Sequence, residues 1–106
     1  MIISTTDSVP NQEVSGIIGI VAGEAVLGAN IFRDLFANIR DIVGGRAGSY
    51  QKVLKDARYH ALQDMMEEAR EIGADAIIGV DLDYEALGDK GSILMVSANG
   101  TAVKLR

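Results

Sequence analysis

Hydrophobic and polar positions divide the chain into a few readable segments. Val14 to Leu27 (VSGIIGIVAGEAVL) is dominated by Ile, Val and Gly, and its β-branched content predicts a strand. Gly16, Gly19 and Gly23 interrupt it where glycine in a strand marks a bulge or a close backbone approach. Phe32, Leu35, Phe36, Ile39, Ile42 and Val43 then recur at three- and four-residue steps. That spacing predicts a helix over Ile31 to Val43, with Asn30 as N-cap and Gly44-Gly45 as its stop. A longer helix is predicted over Tyr50 to Ile72, capped by Ser49 and ended by Gly73. Its stripe is Val53, Leu54, Ala57, Ala61, Leu62, Met65, Met66, Ala69 and Ile72, in which the alanines let a helix approach a sheet closely. From Ala74 to Glu85 the pattern has period two. Ile78, Val80, Leu82 and Tyr84 fall on one face and Ile77, Gly79, Asp81, Asp83 and Glu85 on the other. Gly88 to Gly91 reads as a hairpin turn. Ser92 to Ala98 is a strand, Asn99-Gly100 a tight turn or a bulge, and Thr101 to Leu105 more strand. Ile2 to Thr5 is a short strand, followed by loop residues from Thr6 to Gln12.

Strands, two helices and a closing hairpin give an α+β fold. The expected packing is an antiparallel sheet curled around the long helix, with the shorter helix added. The 106 residues make a single domain, 1–106. Nearly half are apolar (48%), a surplus that fits either a dense core or a subunit interface. Fifteen acidic against ten basic residues leave a charge of −5. Without clustered cations, nucleic acid and anionic membranes are not expected partners. No cysteine is present, which removes disulfides, thiolate nucleophiles and cysteine metal sites, and fits a cytoplasmic location. No secretory signal or membrane span is expected from the pattern.

Four constellations carry candidate chemistry. Asp81, Asp83 and Glu85 share a strand face at steps of roughly 7 Å, an oxygen-donor set suited to hard divalent ions, or simply a solvated or cross-paired face. His60, Asp64 and Glu67 or Glu68 align on the long helix, either as ligands or as an ordinary polar face. The Gly44 to Ser49 turn, with Arg46, precedes a helix and could hold an anion, or serve as a helix–helix turn. Arg33 and Arg40 lie two turns apart, as do Asp34 and Asp41. With Glu24 and Asn30 nearby in sequence, they read as a docking face or as a solvated one. No nucleophile–base–orienter set is visible.

Several stretches are recognisable. These are Val21 to Ala25, Gly28 to Asp34, Ile39 to Arg46, Gly73 to Ala76, Gly79 to Asp81, Asp83 to Glu85 and Gly100 to Val103. They resemble the YbjQ-like family of uncharacterised bacterial proteins, from about Ser4 to the C-terminus. The resemblance implies a dodecin-like subunit, a homopentamer and heavy-metal binding. Soft metals prefer thiolate and imidazole, so the expected metal ligands here are Asp81, Asp83 and Glu85, with a divalent ion as the only expected cofactor. Arg33, Asp34, Arg40 and Asp41 are the expected subunit interface. The expected function is a non-catalytic binding or structural module; a metal-dependent enzyme using the strand carboxylates is the alternative.

Overall fold

A computed structural model describes residues 1–28, 48–88 and 93–106. Its elements are β1 (Ile2–Ile3), β2 (Val14–Leu27), α1 (Gly48–Glu71), β3 (Ala76–Leu87) and β4 (Ile93–Leu105). The four strands form one sheet in the order β1-β3-β4-β2. The expected α+β architecture, one long helix on a sheet, is present. The sheet is mixed rather than antiparallel, because β1 runs parallel to β3 while β2 and β3 are both antiparallel to β4. One helix lies among the described residues; the shorter helix expected over Ile31 to Val43 falls outside them, as does most of the Gly44 to Ser49 turn.

The helix packs because its small-residue stripe meets a glycine. Ala57, Ala61, Met65, Met66 and Ala69 are buried, and they cluster with Val21, Ile77, Val80, Val96, Ala98 and Ala102 of the sheet. At Gly23 of β2 a Cβ atom would overlap the carbonyl oxygen of Ala61 and the amide nitrogen of Met65. The absent side chain therefore sets how closely helix and strand approach. Gly16 and Gly19 flank irregularities of the kind expected, since the β2–β4 register shifts between Val14 and Gly16 and between Ile17 and Gly19; neither takes a positive φ, so the shifts do not require glycine.

Gly48 and Ser49 already lie in the helix, so Ser49 is not its N-cap residue; residue 47 lies outside the described ones. Gly73 closes it at φ 78°. Its N–H donates to Arg70 O and that of Ala74 to Ala69 O, both at 3.0 Å, the paired bonds of a left-handed helix terminus. The opening loop contains a turn in which Gln12 N–H donates to Val9 O at 3.2 Å. Pro10 and Asn11 occupy its centre, with Asn11 at φ 63°, a type II arrangement.

Two expectations about the hairpin need correction. Strict alternation along β3 fails because Ile77 and Val80 both join the core. The cause is a bulge: Ile78 pairs with Thr101 and Asp81 with Asn99, so Gly79 and Val80 together oppose Gly100. Gly79 takes φ 61° to make the bend, and its N–H donates to Thr6 O at 2.8 Å. Asn99-Gly100 is neither a turn nor itself the bulge, for β4 runs unbroken through it. Gly100 is buried opposite the bulge, with Ile77 Cγ2 2.6 Å from where a Cβ would stand.

Candidate functional site

The sheet has two faces with different chemistry. Beneath the helix, Val21, Val96, Ala98 and Ala102 are buried. The opposite face is set by register, since residues directly paired across antiparallel strands project to the same side. Asp83 of β3 is level with Ser97 of β4 and Glu24 of β2; Asp81 is level with Asn99 and Ala22; Glu85 is level with Met95 and Val26. Asp81, Asp83 and Glu85 are all exposed there, in the alternating positions the sequence predicts.

Asp81 and Asp83 are close enough to act on each other. The carboxyl of Asp83 is pushed above its ordinary value, first by a side-chain hydrogen bond with Asp81, next by the Asp81 charge, then by desolvation and the Glu85 charge. One proton shared between two carboxylates relieves like-charge repulsion, and a cation at the same place would do the same. Glu85 does not complete the pair into a ligand cage. Among the described residues, no three His, Asp or Glu side chains converge closely enough to hold a metal ion. Glu24 joins the face two strands from Asp83, about 10 Å away at ordinary strand spacing. Sequence reading set Glu24 beside the Arg33 and Asp34 group; only the β2–β4 register moves it here.

The helix constellation of His60, Asp64, Glu67 and Glu68 is not gathered into a site. His60 is exposed and meets Tyr59 edge to face, with ring centroids 5.7 Å apart. Glu67 pairs with Arg70 at 3.7 Å. Asp64 Oδ2 accepts the Glu24 N–H at 3.1 Å, and Glu68 Oε2 accepts the Ala22 N–H at 3.4 Å. Those two carboxylates hold the strand, not an ion. An acidic i, i+4 pair beside the Ala57, Ala61, Met65 stripe was the available sequence signal for this contact.

A shallow depression of about 160 Å³ lies between Ile3, Ser4, Thr5, Leu62, Val80 and Leu82, below the size of ordinary small-molecule pockets. Several large apolar side chains are left in solvent on the single chain, led by Ile20 at 82%, Ile17 at 75% and Val26 at 62%, all on β2. Arg33, Asp34, Arg40 and Asp41, the expected interface set, lie outside the described residues. No helix among those residues is long and apolar enough to cross a membrane.

A two-layer α+β domain with an acidic open sheet face and an apolar outer strand is the class of protein these features define. The family model described as "Putative heavy-metal-binding" matches residues 1–106, and the chain belongs to that YbjQ-like family. A solved structure similar to it is a protein of unknown function of the DUF74 family from Pediococcus pentosaceus. The two are 17% identical, with a TM-score of 0.66 over 100% of this chain and 98% of that one; at that identity the likeness speaks for the fold.

The donor set does not fit a soft heavy metal. Such ions select thiolate and imidazole ligands, whereas this chain has no cysteine and one histidine. His60 stands on the helix, and Asp81 and Asp83 on the strand face turned away from it.

Proposed function

We propose that this protein is a non-catalytic binding module that works as a homo-oligomer in the cytoplasm, a homopentamer as the family resemblance implies. The observation that carries the reading is the exposure of Ile17, Ile20 and Val26 on one outer strand. Isolated apolar residues on a surface need no explanation, but three large ones on one edge strand favour burial against another subunit. Arg33, Asp34, Arg40 and Asp41 are proposed as a further part of that interface, on their seven-residue spacing alone. The bound species in this reading is a hard divalent ion, taken by Asp81 and Asp83 with Glu85 at the margin. Carboxylate oxygens suit magnesium, calcium or manganese.

The second reading is a metal-dependent enzyme using the same carboxylates, supported by the placement of Asp81, Asp83 and Glu85 side by side on one exposed strand face. Elemental analysis of the purified protein, followed by titration with calcium, manganese and cadmium, separates these outcomes. Weak calcium or manganese binding abolished in Asp81→Asn/Asp83→Asn supports the binding module. A tightly held stoichiometric metal lost in that variant favours the enzyme. Cadmium binding at low micromolar affinity with calcium and manganese inert would rule out these ligands.

A further inference from the structure

Among the described residues β2 is an edge strand, paired with β4 on one side only. An edge of 14 residues presents a row of unpaired N–H and C=O groups that any extended chain can join. The outer side of β2 is not uniformly open. The N–H groups of Ala22 and Glu24, two residues apart, donate to Glu68 Oε2 at 3.4 Å and to Asp64 Oδ2 at 3.1 Å. The spacing explains why both bonds form together. Two residues of strand advance by about 6.8 Å, and four residues of helix by about 6 Å. An i, i+4 carboxylate pair on a helix lying along the strand therefore reaches successive outward N–H donors. Gly23, between the two donors, lets the helix come close enough, since any Cβ there would overlap the helix backbone at Ala61 and Met65.

We propose that Asp64 and Glu68 are positioning residues that guard the edge of β2 left unpaired among the described residues. By accepting the Ala22 and Glu24 N–H donors they stand in for a neighbouring strand, and they bar strand addition along the second half of β2 by another copy of this chain. The device leaves the first half, around Ile17 and Ile20, outside its reach. It is independent of the proposed oligomer, because it concerns donors already satisfied within one chain.

The test compares amide hydrogen exchange and association in Asp64→Leu/Glu68→Leu with the parent. Asp64→Asn/Glu68→Gln is the conservative variant, as it keeps a carbonyl acceptor at each place. Glu67→Leu/Glu71→Leu controls for lost charge and added apolar surface. Exchange at Ala22 and Glu24 should rise about tenfold in the leucine variant, the loss expected for a hydrogen bond to a charged acceptor. It should stay near the parent in the conservative one. The leucine variant alone should grow larger assemblies with rising concentration. Unchanged exchange at the two amides would overturn the capping. Raised exchange with an unchanged assembly state would overturn the guarding role. If the leucine variant does not fold, Glu68→Leu alone, read at Ala22, decides in the same way. The parent's own mass does not enter this comparison, so a monomeric parent would defeat the proposed oligomer and leave the guard to be judged on these amides.

Discussion

Replacing Gly23 by alanine tests the packing on which the whole fold turns. The added Cβ meets the backbone of Ala61 and Met65 rather than a flexible side-chain end, so it cannot be absorbed by a rotamer change. The helix must retreat by about 1 Å to restore ordinary contact, a gap that forfeits a quarter to a half of each dispersion contact across it. Overpacking of this kind costs about 1–3 kcal/mol. The same retreat lengthens the bonds from Ala22 and Glu24 to Glu68 and Asp64, adding about 1 kcal/mol. The expected total of about 2–4 kcal/mol is a large share of a stability of roughly 5–15 kcal/mol. Urea unfolding at fixed protomer concentration, followed by far-ultraviolet circular dichroism, measures it. Gly19→Ala is the matched control, because nothing lies within 4 Å of a Cβ there and its φ is not positive. It should be neutral or slightly stabilising. If Gly23→Ala unfolds at the same midpoint as Gly19→Ala, the close-approach argument is wrong.

Three further substitutions test the core, the strand bulge and the acidic pair. Met65 is fully buried at the centre of the core, and Met65→Ala should cost about 2–5 kcal/mol in the same unfolding assay; a loss below about 0.5 kcal/mol, the scale of a surface substitution, would contradict its core role. Gly79→Ala should destabilise by about 1 kcal/mol or more, since φ 61° is costly for a residue with a Cβ; a neutral result would mean that the bulge needs no glycine. The Asp83 carboxyl is held above its ordinary value, first by the hydrogen bond with Asp81 and then by the Asp81 charge. The native state therefore holds its proton more tightly than the unfolded chain, and that contribution to stability is lost as pH rises through the raised value. Asp83→Asn should gain on the parent across that window in pH-dependent unfolding, whereas a parallel pH profile would show that the Asp81–Asp83 repulsion is absent.

The residues differ in how much they disclosed in advance. Val14 to Leu27 was legible as a strand to the residue, and the α1 stripe predicted its buried side apart from Ile72, which lies past the helix end and is exposed, because periodicity reports directly on which face meets a core. Strand glycines at 16, 19 and 23 signalled bulges and close contact without saying which was which; that depends on whether a helix crosses above, a non-local fact. Period-two reasoning failed at Ile77 to Asp81 because one added residue reverses the faces of a strand. The acidic face was foreseen at Asp81, Asp83 and Glu85, but Glu24 reached it only through the β2–β4 register. Asp64 and Glu68 read either as ligands or as an ordinary polar helix face, and neither reading has them anchor a strand, because sequence spacing aligns side chains without showing what stands opposite. The parallel pairing of β1 with β3 was not legible at all, since two residues of strand carry no period.

The claim that matters most is that exposed β2 residues are covered by other subunits. Light scattering coupled to size exclusion at micromolar protomer concentration tests it most directly. The expected mass is about five subunits, with Ile17 and Ile20 protected in the assembly and Ile20→Asp shifting the mass downward. A monomer of the single-chain mass, 11.3 kDa, with the same elution at tenfold higher concentration, would contradict it.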